Sequence, residues 1–174
     1  MAEEIDLQNG QRRPVPAGLL IVTAIFLGIA GGVLGVIYAY PVLKAASNAS
    51  SNLTQTLYRE AQQQGLNYTL SQVQGLMRQM AYSLIAVSAF LAALGVVAWA
   101  FVYRPATSAD YARAAMGALF TGVLYILTAI AGSFYTLFFG LLGGVLLLVA
   151  WYRIRSFSRS LEAQETAAGP SEAP

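Results

Sequence analysis

Long apolar blocks without charged residues alternate along this chain with short polar stretches. The first block runs from residue 17 to 40, the second from 81 to 103, and a third apolar region covers 114 to 152. At 1.5 Å per residue the first block reaches about 36 Å and the third region about 58 Å, against a bilayer core of about 30 Å. The pattern therefore predicts one membrane crossing for each of the first two blocks and two crossings for the third region.

The third region needs a turn near its middle, where Ala131-Gly132-Ser133 stands. Glycine adopts the left-handed conformation that often ends a helix. We therefore predict an all-α integral membrane protein, a four-transmembrane-helix bundle with spans at 17–40, 81–103, 113–131 and 134–153. A cleaved signal peptide is the alternative for the first span, but such signals have a shorter apolar core of about 7 to 15 residues.

The polar segment 41–80 is predicted to form a helical extracytoplasmic hairpin between the first two spans. Leu53, Leu57 and Ala61 recur every four residues, Ser51 or Asn52 can cap the start of that helix, and Gly65 can end it. The helix should pack through its leucines as a small cap on the bundle. A groove that binds a partner is the alternative.

A second helix of the hairpin is predicted to start at the capping box Thr69-Leu70-Ser71-Gln72. Apolar residues continue from there at helical spacing into the second span, so one helix should cover residues 70–103. These apolar positions are Leu70, Val73, Met77, Met80 and Leu84. The first three should pack against Leu53 and Leu57, and an extension of the first span beyond Pro41 is a further candidate neighbour.

Composition supports the membrane assignment and removes several kinds of chemistry. The chain is 57% hydrophobic and 10% charged, whereas soluble domains carry about 25% charged residues. It contains neither cysteine nor histidine, which excludes disulfides and Cys or His metal sites. Phosphate-binding glycine loops and nucleophile elbows are also missing from the sequence. No cofactor, metal site, catalytic residue or nucleic-acid partner is predicted.

The positions of Lys and Arg predict the orientation, because cytoplasmic loops carry an excess of basic residues. Seven arginines are then cytoplasmic, namely Arg12, Arg13, Arg104, Arg113, Arg153, Arg155 and Arg159, and three basic residues are external, namely Lys44, Arg59 and Arg78. Both termini are expected in the cytoplasm of a cell whose plasma membrane holds the protein. The predicted cytoplasmic parts are the N-terminal segment 1–16, the loop 104–112 and a disordered tail, 154–174.

Three Asn-x-Ser/Thr sequons fall in the external segment, at Asn48, Asn52 and Asn67. We expect glycosylation of at least one of them, in an archaeal or eukaryotic setting. The lack of Cys and His favours an archaeal surface membrane.

Small residues at four-residue intervals permit close helix contacts in a membrane. The first span has two such tracks and the fourth has one, and the candidate interface residues are Gly28, Gly31, Gly32, Gly35, Gly140 and Gly144. They can pack within the bundle, or mediate self-association or docking to another subunit. Hydroxyl side chains form a candidate polar stripe on the third span, at Thr121, Tyr125 and Thr128.

No charged side chain lies in the interior of a predicted span, and such residues usually mark transport or catalysis. The sequence therefore predicts a non-catalytic accessory or structural subunit of a larger membrane assembly, in contact with the lipid bilayer and other membrane subunits. The alternative is a small channel or transporter component in which several copies surround a hydroxyl-lined path for a neutral solute.

Overall fold

The computed structural model describes residue 15 and residues 17–132 and 134–167, and all regular structure in these residues is helical. The helices are α1 (Gly18–Ala46), α2 (Asn52–Gln63), α3 (Leu70–Ala98), α4 (Arg104–Thr107), α5 (Tyr111–Ala131) and α6 (Phe134–Ala167), with a π-helical segment, Trp99–Tyr103, joining α3 to α4. Four helical stretches are long and apolar enough to cross a membrane: Gly18–Ala46, Leu70–Thr107, Tyr111–Ala131 and Thr136–Gln164. The predicted all-α fold with four long apolar helices is confirmed. Most of the N-terminal segment 1–16, with Arg12 and Arg13, lies outside the described residues.

Helix α1 continues past Pro41 to Ala46, so the candidate extension of the first span beyond residue 40 is present. Proline removes a backbone donor from a helix interior, so packing must compensate for the lost hydrogen bond. The added turn supplies that packing, because Ala46 is buried together with Val73 and Met77 of α3.

Helix α2 packs on the end of α1 through its hydroxyl side and not through its leucines. The Thr54 hydroxyl donates to the Ala45 carbonyl at 2.9 Å and is fully buried, whereas Leu53 and Leu57 are 42% and 36% exposed. The predicted packing of those leucines is therefore wrong. The last carbonyls of a helix have no partner within the helix, so donors are needed on the face of α2 that meets α1.

Both ends of the hairpin follow their sequence signals. Ser51 caps α2, and its hydroxyl accepts from the Thr54 N–H at 3.1 Å. Gly65 has a φ of 76° just after α2, as a left-handed helix end requires. The predicted capping box opens α3, with the Thr69 N–H donating to Gln72 Oε1 at 2.7 Å and the Gln72 N–H donating to Thr69 Oγ1 at 3.3 Å.

The turn between α5 and α6 uses glycine for a different reason from the one expected. Gly132 has φ −103° and ψ −167°, so its backbone is extended and not left-handed. A Cβ at this position would collide with the Thr136 side chain and lie 3.1 Å from Val87 Cγ1. Glycine therefore permits the close approach of α6 and α3 at this turn.

Helix α6 extends to Ala167, so residues 154–167 of the predicted disordered tail are helical. The composition of this segment suggested too little apolar surface for folding. Ile154 is nevertheless fully buried, and the Phe157 ring meets the Tyr111 ring edge-on at 5.3 Å between centroids. Packing against α5 thus stabilises the added turns. Residues 168–174 lie outside the described residues.

The long helices form a bundle in which α1 packs along α3 and α6, and α5 packs along α6. Helices α3 and α5 contact each other much less. The core lies between the tightly packed helices and includes the fully buried Ile21, Leu91, Tyr125 and Leu147. One of the four lateral seams of the bundle is therefore loosely closed.

Candidate functional site

The four candidate glycines of α1 are all buried against the chain's own helices. They are Gly28, Gly31, Gly32 and Gly35. A Cβ on Gly32 would lie 2.6 Å from both Ala92 Cβ and the Ser88 carbonyl oxygen of α3, and one on Gly31 would lie 2.6 Å from Phe139 Cβ of α6. Both tracks thus serve packing within the chain, and neither offers an open face for another molecule.

The candidate glycines of α6 are also used within the bundle. A Cβ on Gly140 would lie 2.8 Å from Ala129 Cβ, and one on Gly144 would lie 2.8 Å from the Gly122 carbonyl oxygen. Contacts this short between backbones require residues without side chains. The structure therefore places this pair in the seam between α5 and α6.

The candidate polar stripe of α5 faces the interior of the bundle. Thr121, Tyr125 and Thr128 are 2%, 0% and 8% exposed. The Tyr125 hydroxyl donates to the Ala24 carbonyl of α1 at 3.2 Å, and the Thr128 hydroxyl donates to the Leu124 carbonyl at 2.7 Å. The tyrosine ring fills the interior at its level, and its hydrogen bond links α5 to α1.

One buried hydroxyl in the bundle has no hydrogen-bond partner among the described residues. Ser88 of α3 is fully buried and its Oγ is unpaired. This oxygen lies where a Cβ on Gly35 would stand. Close packing of α1 on α3 therefore encloses a polar atom whose desolvation is not compensated.

A lateral groove follows the seam where α3 and α5 diverge. Its outer part is a cavity of about 460 Å³ lined by Leu76, Gln79, Met80, Ser83, Leu84, Val87, Ala131 and Gly132. Its inner part, of about 420 Å³, is lined by Ala86, Val87, Phe90, Leu124, Leu127, Thr128 and Ala131. The two parts share Val87 and Ala131, so we treat them as one feature, the α3–α5 groove.

The walls of the α3–α5 groove are mainly apolar, and two polar side chains stand at its outer end. Met80 and Phe90 are 71% and 49% exposed. Gln79 and Ser83 are exposed one helical turn apart, and neither side chain has a hydrogen-bond partner within the part of the chain that the structure describes. The groove thus combines a large apolar surface with unused hydrogen-bonding groups.

Sequence reasoning did not find this groove. It counted Met80 among the apolar positions at helical spacing along α3, but the buried face runs through Val73, Met77 and Ala81. The small residue Ala81 lies on the buried face, whereas its larger and more hydrophobic neighbour Met80 does not. Side-chain hydrophobicity therefore selects the wrong one of these two residues. In a membrane the outward face is apolar as well, and periodicity alone does not separate a groove from the core.

The three sequon asparagines, Asn48, Asn52 and Asn67, are exposed in the hairpin region. The first lies in the α1–α2 connection, where its Oδ1 accepts from the Ser50 N–H at 3.0 Å. Asn52 is the first residue of α2, and the last lies in the extended segment before α3. Thr54, the hydroxyl residue of the second sequon, is the buried residue that bonds α1.

Comparison of the chain with protein-family profiles, with curated proteins and with solved structures finds no match.

Proposed function

We propose that this chain is a multi-pass membrane protein and a non-catalytic accessory subunit of a larger assembly, with the α3–α5 groove receiving a transmembrane helix of the partner subunit. The observation that carries the proposal is the α3–α5 seam, where the helices contact each other less than at the α1–α3, α1–α6 and α5–α6 seams and leave both parts of the groove open. The groove extends from Leu76 to Phe90, about 21 Å along α3, which suits one face of a helix.

The polar residues of the groove favour a helix over lipid tails as the occupant. An amide or hydroxyl in hydrocarbon costs free energy unless it is hydrogen-bonded, and lipid tails offer no such partner. A transmembrane helix with a polar side chain at this depth can bond Ser83, and the extracytoplasmic end of that helix can bond Gln79, which lies just outside the predicted span. Such bonds contribute about 0.6 kcal/mol each in membrane proteins.

The exposed leucines of α2 provide a second contact surface for the same partner. Leu53 and Leu57 stand next to the end of α1, beyond the predicted end of the first span. Lipid tails do not reach residues outside the hydrocarbon layer, so covering this pair requires protein or headgroups. An extracytoplasmic segment of the partner would remove them from water, which is favourable for apolar surface.

The proposed setting is a plasma membrane, with both termini in the cytoplasm and the hairpin outside, where its exposed sequon asparagines can carry glycans. Two tryptophans mark the interface at one end of the bundle, since tryptophan favours the boundary between membrane and water. The Arg104 guanidinium lies 5.1 Å from the Trp99 ring, and the Arg155 guanidinium lies 5.7 Å from the Trp151 ring. Both pairs belong to the arginine-rich side that the sequence predicts to be cytoplasmic.

The test fills the groove without disturbing the rest of the bundle. Ala86→Trp places a large ring in the inner part of the groove from an exposed position on α3. Val145→Trp is the matched control, since Val145 is 49% exposed on α6 and does not line the groove. Because the chain has no cysteine, Met80→Cys also introduces a single thiol for crosslinking in native membranes.

We expect a defined stoichiometric partner to crosslink at residue 80 and to be lost from Ala86→Trp but retained by Val145→Trp. Both variants should keep the melting temperature of the wild type in detergent. Equal retention by the two variants would contradict docking in the groove. Crosslinks only between copies of this chain, or solute flux in liposomes that contain the purified chain alone, would contradict the accessory role.

A further inference from the structure

A second pocket lies where α3 turns into α5, at the opposite end of α3 from the hairpin. It has a volume of about 550 Å³ and is lined by Ala100, Phe101, Arg104, Pro105, Thr107, Ser108, Asp110 and Arg113. This is the end of the bundle that the sequence predicts to be cytoplasmic. The pocket shares no residue with the α3–α5 groove.

Pro105 accounts for the shape of one wall. Proline has no N–H to donate to the carbonyl four residues earlier, and its ring crowds that carbonyl. The helix widens at this point into the π-helical segment, in which the Arg104 N–H donates to the Trp99 carbonyl. The Phe101 carbonyl faces Gly117 of α5, where a side chain would collide with it. The wall is therefore held between two helices.

The connection that closes the pocket is fixed by local hydrogen bonds. The Thr107 hydroxyl donates to the Arg104 carbonyl at 2.7 Å, and the Ser108 hydroxyl lies 3.1 Å from the Pro105 carbonyl oxygen. Asp110 caps α5 by accepting from the Arg113 N–H at 3.1 Å. These hydrogen bonds fix the backbone of the connection, so the side chains of Arg104 and Arg113 extend from defined positions.

The pocket has more positive than negative charge. Arg104 and Arg113 face one carboxylate, Asp110, which is already engaged at the start of α5. In the part of the chain that the structure describes, neither guanidinium forms an ion pair. Arg104 instead lies over Trp99, a contact that holds its charge beside an aromatic ring suited to the headgroup layer.

The pocket also has an apolar wall beside its two arginines. Ala100 and Phe101 line the pocket, and Phe101 is 57% exposed. A ligand that fills the pocket therefore needs an anionic head and an apolar part. We propose that the pocket binds the phosphate-bearing headgroup of an anionic phospholipid between Arg104 and Arg113, with an acyl chain along Phe101.

The basic cleft between α5 and α6 provides a comparison at the same end of the bundle. It contains Arg155 and Arg159 together with Glu162, and it lies beside the second tryptophan, Trp151. Replacing its two arginines removes more formal charge than replacing one arginine of the pocket. This cleft therefore supplies the control for general attraction between the chain and an anionic membrane.

The experiment uses the full-length chain in lipid nanodiscs. Trp151→Phe leaves Trp99 as the only tryptophan, since the chain has two. Its fluorescence is measured with brominated phosphatidylglycerol or brominated phosphatidylcholine at equal mole fractions. Because Arg104 stacks on Trp99, Arg113→Gln is the primary test variant. Arg155→Gln combined with Arg159→Gln is the control.

We expect half-maximal quenching at a lower mole fraction of brominated phosphatidylglycerol than of brominated phosphatidylcholine. Arg113→Gln should raise that mole fraction for phosphatidylglycerol about fivefold, the usual contribution of one basic side chain near an anionic membrane surface. The control pair should leave it unchanged. Native mass spectrometry of the wild type gives a second measurement, in which phosphatidylglycerol stays bound to a larger fraction of molecules than phosphatidylcholine.

Equal quenching by the two lipids, or an equal effect of the control pair, would overturn the proposal. Loss of the preference when inorganic phosphate is added at millimolar concentration would show that a soluble phosphate compound is the ligand, and would overturn the lipid assignment.

Discussion

Replacing Gly32 with alanine should destabilise the bundle, because α1 and α3 approach each other closely at this residue. The added Cβ would lie 2.6 Å from Ala92 Cβ and 2.6 Å from the Ser88 carbonyl oxygen. One of these atoms belongs to a backbone carbonyl and the other to a side chain that cannot rotate away. The helices must therefore move apart.

The loss in the free energy of unfolding can be estimated from the distance by which α1 and α3 must separate. Ordinary contacts of a Cβ begin at 3.4 Å, so the helices must separate by about 0.8 Å at Gly32. A gap of this size removes a quarter to a half of the dispersion energy of the atom pairs that it separates, and overpacking a core typically costs about 1–3 kcal/mol. Alanine regains up to about 1 kcal/mol over glycine in a helix interior. The expected net loss is about 1–2 kcal/mol in the free energy of unfolding.

Gly75→Ala is the matched control, because a Cβ at Gly75 of α3 has no atom within 4 Å. This variant should gain about 0.5–1 kcal/mol from helix propensity alone. Unfolding of each variant in mixed micelles by titration with sodium dodecyl sulfate measures both effects. The two variants should differ in sign, and a Gly32→Ala protein as stable as Gly75→Ala would refute the close contact between α1 and α3.

Three further predictions concern the polar groups of the chain. Thr54→Val should lose about 1–2 kcal/mol in the same titration, because it leaves a carbonyl at the end of α1 with fewer donors, whereas exposed Thr56→Val should change little. Ser88→Ala should gain about 1 kcal/mol by removing an unpaired buried hydroxyl, and a loss of stability would mean that the hydroxyl has a partner. In a glycosylating host, Asn67→Gln should lower the intact mass by one glycan and Asn52→Gln should not, because the hydroxyl of the Asn52 sequon is buried.

The start of each hairpin helix was predictable because its signal is local. Ser51 and Thr69 precede their helices as hydroxyl caps, and Gln72 completes the capping box three residues later. Gly65 follows α2 where a left-handed residue is needed. Each of these signals is complete within a few consecutive residues, so no knowledge of distant contacts is required.

The face that α2 turns inward was not predictable in this way. Its leucines have the spacing of a packed face, but α1 ends in carbonyl groups that need donors, and Thr54 supplies one. The continuation of α6 to Ala167 has a similar cause, because the contact between Phe157 and Tyr111 joins residues far apart in sequence. Both outcomes depend on which helices become neighbours.

The candidate site was the least predictable part. The α3–α5 groove exists because two helices diverge, and its residues share the apolar character of every other outward surface in the spans. Gln79 and Ser83 at the outer end, and Thr128 in the inner part, differ from that background. Gln79 and Ser83 lie near the end of a span, and the sequence alone does not distinguish them from ordinary residues at the membrane interface. The arrangement of the helices is needed to place them in a groove.

The widened turn before Pro105 decides which residues meet at that end of the bundle. In a regular α-helix, residues five positions apart point about 140° away from each other, so Trp99 and Arg104 would diverge. The π-helical hydrogen bond between exactly these two residues brings their side chains onto one side, which permits the contact at 5.1 Å. Regular α-helical winding of the same residues, without the wider turn, would swing the guanidinium away from the indole. Pro105, through the wider turn that precedes it, thus determines that the charge of Arg104 lies beside the Trp99 ring.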